Sequence, residues 1–107
     1  MKALILTIAA AGSLMVAAQV SAADAAEALA QKSGCLACHS IDKKVLGPSY
    51  KDVAAKYKGD KTAEAKLIAK VKAGGSGVWG PIPMPANSPQ VKDADIKTIV
   101  QWVLSLS

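Results

Sequence analysis

Cys35-Leu36-Ala37-Cys38-His39 decides how this chain is read. Two thiols separated by two residues, with an imidazole directly after the second, form the attachment signature of c-type haem. The spacing has a chemical basis. A Cys-x-x-Cys turn sets both sulfurs on one side of the backbone, within reach of two vinyl groups of one porphyrin. The next residue then lies beneath the ring centre, where His39 can offer a ring nitrogen to the iron. Two thioethers hold the cofactor permanently and keep its ligands at high effective concentration in a small protein.

Three other uses of the motif compete with this one. A thioredoxin-like redox disulfide would follow a strand within an α/β sheet, and no strand-period run occurs after the N-terminal leader. Structural zinc normally takes four Cys or His ligands, whereas the chain has two Cys and one His in all. A plain disulfide remains open, but it gives His39 no role.

The 107 residues make one domain at most. Lys2, the apolar run Ala3 to Ala18 and the small residues Val20-Ser21-Ala22 read as a secretory signal spanning 1–22, cleaved after Ala22 or Ala23. The apolar run is shorter than the ~20 residues of a spanning helix and Gly12-Ser13 interrupts it, so stable membrane insertion is not expected after cleavage. The domain then covers 23–107. That is short for a self-sufficient core, and the chain has no Phe, two Tyr and two Trp. A covalently held porphyrin would supply the missing apolar bulk. Export and haem attachment agree, because c-type haem is joined outside the cytoplasm; the periplasm is the expected compartment.

Every basic residue is Lys, and the formal charge of +5 drops by one when Lys2 leaves. Export and the absence of Arg argue against nucleic acid. A solvated lysine surface that steers docking to acidic redox partners fits better.

The mature chain reads as all-α, four to five short helices around one prosthetic group. Asp24-x-x-Glu27 resembles a capping box opening a helix that Gly34 ends. After a loop from Ile41 to Gly47, Ser49-x-x-Asp52 opens a second helix with Tyr50, Val53, Ala54 and Tyr57 on one face. A third runs from Thr62 to Ala73, with Leu67, Ile68 and Val71 as its apolar side and Gly74-Gly75 as its stop. The stretch Gly74 to Pro89 is too rich in Gly and Pro for a helix. Asp93 to Leu106 closes the chain as the longest helix, its stripe being Ile96, Ile99, Val100, Val103 and Leu106.

Within Gly80-Pro81-Ile82-Pro83-Met84-Pro85-Ala86-Asn87, Met84 is the only Met outside the leader. Met often fills gaps in cores, but a proline-stiffened loop suits holding a weak thioether against iron. Ligation by His39 and Met84 would leave no open position for oxygen, peroxide or nitrite. Neutral ligands and a thioether favour ferrous iron, so the pair predicts a high-potential electron carrier, not an enzyme. A haem enzyme or gas sensor with a displaced Met84, and a haem-free thiol oxidoreductase, are the competing readings.

Together with Leu46-Gly47-Pro48-Ser49-Tyr50-Lys51-Asp52-Val53-Ala54, Gly77-Val78-Trp79-Gly80-Pro81 and Gln101-Trp102-Val103-Leu104-Ser105, these motifs resemble, in order and spacing, the class I cytochromes c of the small bacterial c-551 group. The resemblance spans the mature chain and implies the cytochrome c fold. It implies one haem c attached through Cys35 and Cys38 and ligated by His39 and Met84. It further implies that His39 donates to the Pro48 carbonyl, that Trp79 points its indole N–H at a haem propionate, and that Asn87 hydrogen-bonds near the Met84 sulfur. The first and last helices should cross, Leu29 facing Val103 and Trp102. Ala86 departs from the proline common in close relatives.

By the same resemblance the chain would be an electron carrier in respiration and denitrification, with a monomer as the default expectation. It would pass single electrons to haem-cd nitrite reductase, or to cytochrome c peroxidase or a terminal oxidase, with quinol-cytochrome c reductase among the candidate partners. Lys43, Lys44 and Lys51 flank the proximal loop and are the candidate docking lysines.

Overall fold

The computed structural model describes residues 21–106. Most of the expected leader, 1–20, lies outside the described residues, as does Ser107. Among the described residues four α-helices follow in order: α1 Ala22–Lys32, α2 Tyr50–Lys56, α3 Ala63–Ala73 and α4 Asp93–Leu104, with a 3₁₀ turn at Cys35–Ala37. Among the described residues there is no strand, only one isolated bridge between Gly75 and Met84. The architecture is all-α.

Local chemistry sets the helix ends. Ser49 caps α2, its side-chain oxygen accepting from the Asp52 N–H at 3.1 Å. The expected cap of α1 is corrected: Ser21, not Asp24, accepts at 3.1 Å from the Asp24 N–H, so the helix begins at Ala22. Asp24 keeps a favourable place in the first turn, where a carboxylate faces the positive end of the helix dipole. Gly34, at φ +83°, turns the chain out of α1 into the cysteine motif. Asp93 and Asp95 occupy the first turn of α4, which ends two residues before Leu106.

α4 is the central element, packed against α1, α2 and α3. Its buried face is Ile96, Ile99, Val100, Trp102 and Val103. Ile96 is wholly buried, which contributes about 1.5–3 kcal/mol. Ala26 and Ala30, one turn apart on α1, are buried in the same core as Ile99, Trp102 and Val103, with Leu29 packed against its edge. Small side chains there let the two helix backbones come close. On the third helix the expected apolar side lies at intermediate depth. Its fully buried residue is Ala63, while Leu67, Ile68 and Val71 are half-buried. Leu67 and Val71 line a cavity, and Leu67 also packs against the core cluster.

Candidate cofactor site

The loop after the cysteine motif is stitched back onto it. The Gly47 N–H donates to the Cys38 carbonyl at 2.7 Å, and Tyr50 N–H to the Ser40 carbonyl at 2.9 Å. This return brings Pro48 to His39, whose Nδ1 lies 2.8 Å from the Pro48 carbonyl oxygen. A carbonyl can only accept, so Nδ1 carries the proton and Nε2 keeps its lone pair for a metal. The Tyr50 ring stacks on His39 with centroids 4.9 Å apart and planes 21° apart, and is itself met edge-on by Trp102 at 5.6 Å. His39 is therefore fixed at a ring nitrogen and on a ring face.

Cys35 and Cys38 are both half-buried and are not joined to each other. Burial pushes the Cys35 thiol above its ordinary range, partly offset by a hydrogen bond with Tyr50. Burial, reinforced by Cys35, likewise pushes the Tyr50 hydroxyl up, so it stays protonated.

The segment carrying Met84 is anchored on α3. Gly75 and Met84 exchange backbone hydrogen bonds at 3.0 and 2.9 Å. Gly74 has φ +71°, and a Cβ there would run into the Met84 carbonyl and stand 2.8 Å from the Ala86 nitrogen. Only glycine satisfies both the turn and the approach.

These segments surround a cavity of ≈ 460 Å³, a size suited to a cofactor. Cys35, Cys38, His39, Pro48, Trp79 and Met84 all line it. Trp79 sits partly in solvent, 42% exposed. Asn87 does not line it: its Nδ2 donates to the Val71 carbonyl at 3.3 Å and to Pro85 at 3.2 Å, and its backbone N–H to Val71 at 3.0 Å. Both amide protons thus find backbone carbonyls, one on the helix and one beside Met84, which ties loop to helix. Among the described residues no three His, Cys, Asp or Glu side chains gather as a metal cage. The donors instead suit a flat, largely apolar group held by two thiols and one imidazole, with a thioether on the same cavity.

Sequence reasoning assigned Tyr50 to a helix face and missed its stacking on His39. It also missed Gly47, where a Cβ would stand 2.5 Å from His39 Cε1 and 2.8 Å from Nδ1. Neither contact leaves a local pattern. Of the candidate docking lysines, Lys44 lines the cavity, whereas Lys51 is paired with Asp42 at 2.6 Å.

Comparison with known proteins agrees with this architecture. A family model described as cytochrome c matches residues 23–107. The chain is 59% identical over 78 residues to cytochrome c-551 of Allochromatium vinosum, covering 73% of this chain and 82% of that one. It is 50% identical over 101 residues to cytochrome c-551 of Pseudomonas aeruginosa, covering 94% and 93%. The crystal structure of wild-type Nitrosomonas europaea cytochrome c552 superposes with a TM-score of 0.72 at 49% identity, over 76% of this chain and 99% of that one. Cytochromes c are electron carriers with covalently bound haem c and transient redox partners, and two cysteines are present here to hold one haem. No helix among the described residues is long and apolar enough to cross a membrane. The chain belongs to the class I c-type cytochromes, in the small c-551 group, as a monohaem electron-transfer protein and not an enzyme.

Proposed function

We propose that the chain is a soluble periplasmic single-electron shuttle whose haem is attached through Cys35 and Cys38 and ligated by His39 and Met84. The observation that carries the reading is the convergence of both thiols, His39 and Met84 on one cavity, with His39 Nδ1 already committed to Pro48. The haem supplies reversible ferric/ferrous exchange. The chain's own residues do the rest. Pro48 orients His39 and raises its basicity. Gly74, Gly75 and Asn87 hold the Met84 loop against α3. Trp79, on the cavity rim, would donate its indole N–H to a propionate. With His39 and Met84 both held in place by the fold, gain and loss of an electron would need little rearrangement.

The leader 1–22 would direct export and be removed, leaving 23–107. Around the cavity mouth Leu46, Val78, Trp79 and Ile82 are exposed apolar residues, with Val45 beside Leu46. Lys44 lines the same mouth and Lys43 precedes it in sequence. Such a patch suits brief docking on acidic redox partners. Haem-cd nitrite reductase is the favoured acceptor, ahead of cytochrome c peroxidase or a terminal oxidase. That assigns the protein to denitrification and respiration.

The test is the absorption spectrum of the oxidised protein, read for the weak far-red sulfur-to-ferric-iron band. The band should be present in wild type and lost in Met84→Ala. A haem spectrum lacking it in the native wild type, together with carbon monoxide binding by the reduced protein at neutral pH, would move the assignment to an enzyme or sensor.

A further inference from the structure

The two ends of the Met84 loop are tied to α3 at several points. Besides the Gly75–Met84 pair, the Asn87 N–H reaches Val71 at 3.0 Å and the Ser88 N–H reaches Lys72 at 3.3 Å. The tip, residues 76–83, is different. Its one backbone hydrogen bond among the described residues is internal, from the Gly77 N–H to the Gly80 carbonyl at 2.9 Å. Gly77 and Gly80 both have positive φ, at 110° and 116°. Val78, Trp79 and Ile82 are each at least 42% exposed. A segment with few backbone bonds and exposed side chains opens locally at low cost.

One polar side chain from across the site reaches this tip. Lys56 Nζ stands 5.4 Å from the Trp79 ring centroid and 5.9 Å from that of Tyr57. Both lie within cation–π range. Lys56 is in the last turn of α2, the helix that begins directly after Pro48 and Ser49. Lys56 is exposed and makes no ion pair among the described residues, so the two rings compete for its charge only with water. The contact therefore connects the element next to the His39 orienter with the loop that carries Met84.

We propose that Lys56 is a positioning residue for the Met84 loop, holding its tip closed over the cavity through Trp79. The inference rests on the reading of Met84 as the iron's sixth ligand. Lys56 touches neither iron nor haem in this scheme; it sets how often the tip opens, and so how readily another ligand replaces the thioether. Losing an exposed cation–π contact should raise the open fraction about two- to fivefold.

The experiment titrates the oxidised holoprotein with imidazole, following loss of the far-red band in wild type, Lys56→Met and Lys56→Arg. Imidazole is neutral, as is the thioether it displaces, so removing a surface charge does not bias the exchange by simple electrostatics. Lys56→Met should keep the band without imidazole and bind imidazole about two- to fivefold more tightly. Lys56→Arg, which keeps a cation over the rings, should return to the wild-type affinity. Equal affinity in wild type and Lys56→Met overturns the proposal, as does a Lys56→Arg protein that behaves like Lys56→Met. Absence of the band in wild type itself would instead remove the Met84 assignment, and this inference with it.

Discussion

Gly47 lies against the face of His39, close enough that a Cβ would stand 2.5 Å from Cε1, 2.8 Å from Nδ1 and 3.1 Å from Nε2. Gly47 is not among the glycines with positive φ, so what it contributes is space. Gly47→Ala should push the imidazole away from the Pro48 carbonyl. We expect a loss of about 1–3 kcal/mol, as for other overpacked sites, seen as a lower denaturant midpoint at unchanged slope. Gly59→Ala is the control for backbone strain: φ there is +78° and nothing lies within 4 Å.

Ser49 is buried, and its hydroxyl oxygen accepts from the Asp52 N–H. Ser49→Ala should cost about 0.5–2 kcal/mol by leaving that donor unmet at the start of α2. Thermal or denaturant unfolding reads the loss directly.

Ser21 plays the same role for α1 in the full chain, yet it lies upstream of the proposed cleavage site. Mass spectrometry of the exported protein should give a chain starting at Ala23 or Asp24. Ser21→Ala should then leave the melting temperature of the mature protein unchanged. A drop would mean that Ser21 is retained and that cleavage falls further upstream.

Lys44 lines the cavity mouth, whereas Lys51 does not and is held by Asp42. With an acidic partner, Lys44→Gln should slow electron transfer at low salt more than Lys51→Gln does. The difference should vanish once the screening length falls below the distances involved, ~3 Å at 1 M. Equal effects at all salt concentrations would show that position at the mouth does not matter.

The N–H and the hydroxyl of Thr62 both donate to the Asp60 carboxylate, at 2.8 and 2.6 Å. These bonds, helped weakly by Lys66, hold its carboxyl below the ordinary value of 3.8. A lowered folded-state value stabilises the fold above the unfolded value, and that contribution is lost as pH falls through the folded one. Asp60→Asn should therefore flatten the acid limb of stability from about pH 4 downward, relative to wild type. Unfolding midpoints at several acid pH values check the slope.

Much of the helical layout was readable from local signals. The Ser49 cap, the Gly34 and Gly74 exits and the period of Ile96, Ile99, Val100 and Val103 each work within one or two turns. The misplaced cap on α1 is also local: Ser21 and Asp24 both suit an N-terminus, and the helix takes the earlier one when the residue is present. The α3 stripe was readable only as an apolar side. Leu67 and Val71 are apolar at helical spacing whether they meet protein or a cofactor cavity, so periodicity cannot tell the two apart.

By itself the sequence determined the kind of cofactor and narrowed the candidates to hold it to two thiols, one imidazole and one thioether beyond the proposed leader. It determined the all-α architecture too, since helix periodicity and capping act between near neighbours. Only the tertiary structure decided that Tyr50 braces His39, that Gly47 clears space for its ring and that Asn87 ties its loop to Val71. It also decided that Lys56 meets Trp79. These contacts join residues distant along the chain, or depend on the exact path of a loop, and both emerge only when α1, α2 and α3 have packed on α4.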